Sequence, residues 1–417
     1  MMQKILLVGG GGREHAIAWA LKQANPDREI IAAPGNAGTA SIARNHTVAA
    51  EDVNGLVALA QAEAVDLVVV GPEVPLALGL VDKLRTVRIP VFGPTQAAAQ
   101  LEASKAFAKA FMLDCGIPTA AYAAFTTYDA AARYVEEFNR PVVVKADGLA
   151  AGKGVIVCDD VAQARAALKE ILVNSAFGAA GATVIVEERL TGPELSVLAF
   201  SDGKTIQLMP PARDHKRVFD NDEGPNTGGM GAFTPEVDSA LLKQIETTVL
   251  QPAVDAMAAR GTPYVGVLYA GLMLTPQGPK TLEFNCRFGD PETQAILPLL
   301  ETDLGEILVA CVQGRLHDID IVWKGQYGAT VVAASEGYPG RYPSGLPITL
   351  TDAMDDSLVF HAGTALDEHG QLVTAGGRVL AVSATGETLD AALIKAYAGI
   401  ARVQFDGMHY RRDIGRA

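Results

Sequence analysis

Over residues 1–95, short apolar segments alternate with stretches of helical period. Strands are predicted at Lys4–Val8, Glu29–Ala33, Asp66–Val70 and Val91–Phe92, each running into a Gly or Pro turn. Strands separated by helices line up in parallel, with the helices covering both faces. The expected result is a doubly wound parallel sheet, whose ligands gather at the carboxyl ends of the strands. The turns at those ends are Gly9–Gly12, Gly35–Gly38, Gly71–Glu73 and Gly93–Thr95. At 417 residues the chain is too long for this unit alone, and roughly two to four domains are expected.

Beyond residue 95 the texture changes twice. A helix is predicted over about Ala97–Asp114, ending at a Gly116–Pro118 break. From there to about residue 325 the strands become hairpin-like, with Gly-rich loops at Gly148–Gly154, Asn174–Gly181 and Gly224–Gly231. Residues 326–417 are strand-rich, with Pro339, Pro343 and Pro347, and close on a helical segment near Leu389–Arg402.

The N-terminal glycine loop invites a dinucleotide reading, which its spacing rejects. The fingerprint is G-x-G-x-x-G; counted from Gly9 its third glycine is Glu14, and counted from Gly10 it is His15. The second strand ends in Ala32-Ala33-Pro34, without the acid that would hold a ribose. A phosphate or phosphosugar on the N–H groups at the start of the following helix (Arg13–Lys22) is one reading. A tight turn that binds nothing is the other. Glu73, in Gly71-Pro72-Glu73, could accept two hydroxyl hydrogen bonds from a ribose diol or simply favour a helix N-terminus.

The middle region carries nucleotide chemistry. Val142–Cys158 reads VVVKADGLAAGKGVIVC, a strand, a loop with three glycines and a second strand. It is no Walker A loop, because Lys153 precedes Gly154 and a strand instead of Ser or Thr and a helix. A Gly-rich hairpin flanked by Lys145 and Lys153 can still fold over polyphosphate. Val184–Leu190, VIVEERL, is an apolar strand ending in acids, a candidate hinge whose backbone would bond a base, with Glu194 six residues past Glu188 to meet a ribose. Asp214-His215-Lys216-Arg217 leads into Gly224-Pro225-Asn226-Thr227-Gly228-Gly229-Met230-Gly231. Four glycines in eight residues suggest a backbone-lined pocket.

The sharpest local pattern is Thr281–Arg287, TLEFNCR. Side chains alternate between the faces of a strand, so Leu282, Phe284 and Cys286 are expected in the core, and Glu283, Asn285 and Arg287 on the opposite face. A carboxylate and an amide oxygen two residues apart are hard ligands suited to Mg²⁺, and Arg287 beside them can fork onto an oxyanion. Asp290 and Glu292 follow in a tight turn. Asn and Arg are not usual strand fillers, which favours a metal site over a merely polar edge.

Composition narrows the class. The formal net charge of −14 excludes a broad nucleic-acid surface but not anionic small substrates. Cys115, Cys158, Cys286 and Cys311 form no C-x-x-C pair, which suits reduced thiols in the cytoplasm. The N-terminus lacks an apolar stretch of signal-peptide length, and no apolar run reaches the ~18 residues of a membrane span. No membrane partner is expected.

Taken in order, GGREHA (Gly11–Ala16), APGNAGT (Ala33–Thr39), VGPE (Val70–Glu73), LEASKAF (Leu101–Phe107), KADGLAAGKGV (Lys145–Val155), DHKR, GPNTGGMGAF (Gly224–Phe233), EFNCRFGDPETQ (Glu283–Gln294), FHAGT (Phe360–Thr364) and GGRVL (Gly376–Leu380) span nearly the whole chain. In these motifs the chain resembles the glycinamide ribonucleotide synthetase family of ATP-grasp ligases. EFNCRFGDPE and KADGLAAGKG carry the resemblance; VGPE alone would not.

The resemblance implies an α/β and α+β multidomain protein. Its parts would be an N-terminal doubly wound domain (1–100), a central ATP-grasp domain (101–325, with a lid at about 119–190) and a small strand-rich C-terminal domain (326–417). It implies ATP as substrate, Mg²⁺ or Mn²⁺, and glycine and 5-phosphoribosylamine as partners, in purine biosynthesis, with the protein a monomer or weak homodimer. Lys105 and Lys145 would bind phosphates beneath the lid loop of Gly152, Lys153 and Gly154, with Lys216, Arg217 and Asn226 completing the nucleotide site. Glu187, Glu188 and Leu190 would hold adenine and Glu194 the ribose. Glu283 and Asn285 would bind metal; Arg287, Lys145, Asp214 and Asp290 would serve catalysis and orient substrate; Gly11, Gly12 and Glu73 would hold the sugar phosphate and ribose. The strand Val265–Leu274 carries no carboxylate, so Glu283 would bridge two ions or substrate oxygens would complete the shell. Two rival readings are a sister ATP-grasp ligase, differing around Asp214 and Arg287–Glu292, and a nucleotide-binding regulator without turnover. An intact Lys145, Glu283 and Asn285 set speaks against the regulator.

Overall fold

The computed structural model describes residues 4–149, 154–351 and 356–416. At the N-terminus β1 (Lys4–Gly9), β2 (Glu29–Pro34), β3 (Arg44–Asn45), β4 (Leu67–Val70) and β5 (Val91–Phe92) form one sheet in the order β3-β2-β1-β4-β5. All four pairings are parallel, as the alternation required; the two-residue β3 is an addition too short to leave a pattern. Ile5 and Leu7 face one core while Leu6 and Val8 face another, so the sheet is buried on both sides, as parallel sheets are. The strand order reverses at β1, which puts the carboxyl ends of β1 and β4 at a switch point.

The helix expected over Ala97–Asp114 is two: Gln100–Ala103 and Lys105–Asp114. Ser104 breaks it with extended φ/ψ of −134° and 114°, and its hydroxyl accepts from Phe107 N, capping the second helix. Asp147 reinforces the break by accepting from Ala106 N at 2.7 Å. The serine is a cap, not an interior residue.

A small antiparallel sheet follows, built from β6 (Tyr122–Phe125), β7 (Val142–Ala146), β8 (Val155–Cys158) and β9 (Val184–Glu188) in the order β6-β9-β7-β8. Val142, Val144, Ala146, Val184 and Val186 pack on the helices Tyr128–Phe138 and Val161–Leu172. The alternate residues Val143, Lys145 and Glu187 face a cleft instead. Across it stands a second antiparallel sheet whose long central pair is β10 (Glu194–Asp202) and β11 (Val265–Thr275), with Gly278–Asn285 on the outer edge of the latter.

In the C-terminal third, Tyr327–Ala334 pairs with Arg378–Gly386, and that strand with Leu358–His361. Gly231–Phe233 adds to the other edge of Tyr327–Ala334, and Arg213–Asp214 beyond it. The helix Leu389–Ile400 covers this sheet. Strands from the middle of the chain thus complete the C-terminal sheet, which brings the Asp214–Arg217 cluster and Arg378 to one place.

Candidate active site

One cleft of about 820 Å³ lies between the two antiparallel sheets, closed at one end by the N-terminal switch point and by the C-terminal sheet. At the nucleotide end, Lys145 on β7 sits 3.0 Å from Glu187 on β9 and donates to the Leu282 carbonyl at 3.3 Å. Lys105, at the start of the helix that Ser104 caps, donates to the Gly148 carbonyl at 3.1 Å. Burial lowers its pKa, against the pull of Glu283. Glu188 accepts from Ala121 N at 3.0 Å and from Lys280 at 2.9 Å, leaving the backbone past β9 as the edge that a base could meet. Leu190 lines the same wall. Glu194 pairs with Lys216 at 2.5 Å. Arg217, bonded to the Gly224 carbonyl at 2.5 Å, and Asn226 lie along the hairpin beyond. Gly154 lines the cleft; Gly152 and Lys153 lie outside the described residues.

Leu282 departs from the expected alternation. Gly271 pairs with Glu283 and Leu272 with Thr281, so Leu282 is the extra residue of a bulge. A bulge re-aims side chains: Thr281 is fully buried, while Leu282 turns out of the core to line the cleft. Phe284 and Cys286 pack inward as expected, and Glu283, Asn285 and Arg287 all reach the cleft.

Glu283 makes no hydrogen bond within the described residues. Burial pushes its carboxyl up, but Lys216, Lys145, Lys105 and Arg287 outweigh that and hold it below the usual carboxylate range. It is therefore an anionic oxygen donor among cations. The Asn285 amide oxygen accepts from Arg287 at 3.1 Å. No group of three or more His, Cys, Asp or Glu side chains is placed to hold a metal among the described residues. The fit is to a cation that takes Glu283 and Asn285 and completes its shell with substrate oxygens.

Arg287 is the hub of the far end. It pairs with Glu102 at 3.0 Å and Glu73 at 3.5 Å, and donates to the Phe288 carbonyl at 3.2 Å. Glu102 also accepts from Cys286 N at 2.6 Å, clamping the strand end to the N-terminal half. Burial pushes Glu73 up, but Arg287 and Arg13 draw it below its usual value. Asp290 accepts from Gln294 at 2.8 Å and lies 3.3 Å from Arg378. Burial opposes the ionised form here too, and Arg378 and Arg13 prevail. Asp214 behaves otherwise. Burial, with Glu292 and Glu194 adding to it against Lys216, raises it to about 7. Glu292 itself accepts from the Tyr269 hydroxyl at 2.6 Å.

The glycine loop does not enter the cleft as expected. Gly11 N donates to Glu14 of its own helix at 2.6 Å, and a Cβ on Gly12 would meet Gln294 at 2.7 Å. The anion at this helix start is the protein's own Glu14 carboxylate, paired with Arg13 at 2.6 Å. Gly11 and Gly12 back the site, and Glu73 alone of the three lines it. Lys109, Glu102, Arg13 and Arg378 are among the charged cleft residues the sequence did not single out. Glu102, Arg13 and Arg378 lie inside quoted motifs, and Lys109 stands one helical turn from Lys105, so position within a motif was the available signal.

Known proteins agree with this architecture. Residues 3–102 match the N domain of phosphoribosylglycinamide synthetase, 103–293 its ATP-grasp (A) domain and 328–417 its C domain. The chain is 52% identical over 420 residues to a phosphoribosylamine–glycine ligase from Nostoc sp., covering 99% of each. It is 52% identical over 423 residues to the trifunctional purine biosynthetic protein adenosine-3 of Gallus gallus, of which it spans 42%. A solved phosphoribosylamine–glycine ligase from Thermotoga maritima superposes with a TM-score of 0.86 at 36% identity, covering 99% of this chain and 100% of that one. A biotin carboxylase domain from Hydrogenobacter thermophilus, solved with MgADP and bicarbonate, shares the fold at 16% identity and a TM-score of 0.73, over 98% of this chain and 92% of that one.

Proposed function

The chain belongs to the phosphoribosylglycinamide synthetase family, and from that premise we propose that it catalyses ATP + glycine + 5-phosphoribosylamine → ADP + phosphate + glycinamide ribonucleotide, a C–N ligation of purine biosynthesis. The observation that carries this reading is the half-buried carboxylate of Glu283, held ionised by Lys216, Lys145 and Lys105 beside Arg287. A site of that kind holds a polyphosphate against a carboxylate substrate.

The residues divide along the cleft. Glu187 Oε1, buried and without a well-aligned hydrogen bond, would accept from the adenine amine, with the backbone of Glu188–Leu190 beside it and Glu194 at the ribose. Lys105 and Lys145 would take the phosphates, with Lys216, Arg217 and Asn226 along the opposite wall. A divalent cation, Mg²⁺ or Mn²⁺, would be held by Glu283 and Asn285 and would offset charge on the polyphosphate. Glu73 would meet the ribose hydroxyls of phosphoribosylamine, while Asp214 and Asp290 would orient glycine and the attacking amine.

The chemistry needs no protein nucleophile. Cys286 and Cys311 are buried and burial raises both thiols, and among the described residues no Ser or Cys lines the cleft as a nucleophile would. The γ-phosphoryl group passes to a glycine carboxylate oxygen, the amine adds to the acyl carbon, and phosphate departs with that oxygen. Arg287 would stabilise the oxyanion formed on addition. Positioning and electrostatics carry the reaction. We further place the working units at 1–100, 101–325 and 326–417, in a cytoplasmic monomer or weak homodimer. No helix among the described residues is long and apolar enough to cross a membrane.

The test is isotopic. Glycine labelled with ¹⁸O in both carboxylate oxygens should deliver one label to inorganic phosphate per turnover. Unlabelled phosphate would rule out the acyl-phosphate route and with it the role given to Arg287.

A further inference from the structure

Lys109 lies one turn after Lys105 on the helix Lys105–Asp114, yet its side chain is only 2% exposed. Its ammonium group is 3.0 Å from Glu187 Oε2 and donates to Thr119 Oγ1 at 2.7 Å. Thr119 in turn donates to the Thr281 carbonyl at 2.6 Å. Lys145 approaches the same carboxylate from the cleft side, 3.0 Å from Oε1 and 3.1 Å from Oε2. Two ammonium groups therefore share one carboxylate that is 2% exposed. A one-to-one buried pair would be neutral and closed. This trio carries one net positive charge, and it faces the cleft through Lys145.

We propose that Lys109 is a positioning residue for nucleotide binding: it neutralises Glu187, so that Lys145 stays electrostatically uncompensated and open to the ATP phosphates. The proposal rests on the reading of Lys145 given above. Lys109 lies in the cleft wall, but its ammonium group is already held by Glu187 and Thr119 and its side chain is 2% exposed, so its effect passes through Lys145 instead of a direct contact. Burial lowers its pKa to about 8, with Glu187 pulling the other way, so it is charged at neutral pH. Without it, Glu187 would hold Lys145 as its sole counter-ion, and a phosphate would have to compete with a buried carboxylate for that lysine.

Calorimetric titration of ATP and of adenosine, in magnesium buffer without glycine, tests this. The ratio of the two dissociation constants isolates the phosphate contribution and cancels effects on the base pocket. In Lys109→Met the preference for ATP over adenosine should fall about tenfold or more. In the double variant Lys109→Met/Glu187→Gln it should return to the parent value or above, because the competing carboxylate is gone. Glu187→Gln alone should raise the preference, and that arm decides the matter should Lys109→Met fail to fold. A folded Lys109→Met with the parent preference would overturn the proposal, as would a double variant that stays at the low value. A Glu187→Gln protein whose preference is unchanged or lower would overturn it too. A parent protein binding adenosine as tightly as ATP would instead remove Lys145 from the phosphates, and this proposal with it.

Discussion

Replacing Arg287 by lysine keeps the charge and removes the fork. The guanidinium group reaches Glu102 at 3.0 Å, Asn285 at 3.1 Å, the Phe288 carbonyl at 3.2 Å and Glu73 at 3.5 Å. A compact ammonium group on a different stem cannot span four acceptors fixed for a planar donor. Losing two of these contacts, one of them charge-assisted, should cost roughly 2–5 kcal/mol of stability. If Arg287 also meets the developing oxyanion, loss of that preorganised donor lowers kcat by ~10²–10³, or ~2.7–4 kcal/mol of transition-state stabilisation. The KM for ATP should stay within about threefold, an expectation that follows from uniform-binding logic, because the Lys145–Glu187 end is untouched. ADP release with glycine and phosphoribosylamine varied separately measures both parameters. A folded Arg287→Lys protein with kcat within about threefold of the parent would refute the oxyanion role on the same scale. Arg287→Met adds a pH signature. The depressed Glu73 carboxyl contributes stability that is present above its unfolded pKa and lost as pH falls through its lower folded value. The variant lacks that contribution, so its stability deficit should be largest near neutrality and should narrow on acidification.

Glu283→Gln removes the anionic oxygen from the cation cluster at constant volume; turnover should fall by about 10³-fold or more with the thermal transition little moved, and near-normal activity at limiting Mg²⁺ would remove Glu283 as a ligand. Asp214 is raised to about 7 from the ordinary carboxyl range near 3.8, so between those values the folded chain holds a proton that the unfolded chain has released, and stability falls as pH rises. Asp214→Asn should therefore gain stability relative to the parent across that window in urea titrations, and a constant difference from pH 4 to 8 would show that Asp214 titrates normally.

The fold was legible where burial is two-sided or the period is long. β1 and β4 are unbroken apolar runs between turns, which only a covered parallel sheet accommodates. The break at Ser104 was hidden because Ala, Leu, Glu and Lys on both sides of it favour helix. What stops the helix is Asp147, which accepts from Ala106 N while the Asp147 carbonyl accepts from Lys105 N. That partner is supplied by a loop some forty residues on, and no local window contains it. The bulge at Leu282 has the same origin. Its cause is the pairing of Thr281 and Glu283 with consecutive residues of the neighbouring strand, and strict alternation is blind to a register fixed by another strand.

The site divides along a similar line. A residue type that is costly in its setting announces itself: Glu283 and Asn285 on the strand Gly278–Asn285 and Arg287 just past it are unusual strand-end residues, and all three reach the cleft. A residue that compensates another's charge does not announce itself, because the need for it arises only when the chain has folded. Glu187 looks like a strand-end acid until Lys109 and Lys145 are seen on its two sides. Gly11 looks like an anion receptor until Glu14, three residues on, is found bonded to its N–H. That second case was within reach of sequence: an acid at the third position of a helix satisfies the orphan N–H before any ligand can. A free helix start beside the half-buried, partly neutralised carboxylate of Glu73 would attract a second anion into a crowded switch point. Capping it from within leaves Arg13 and Arg287 as the cations whose charge holds Glu73 below its usual value.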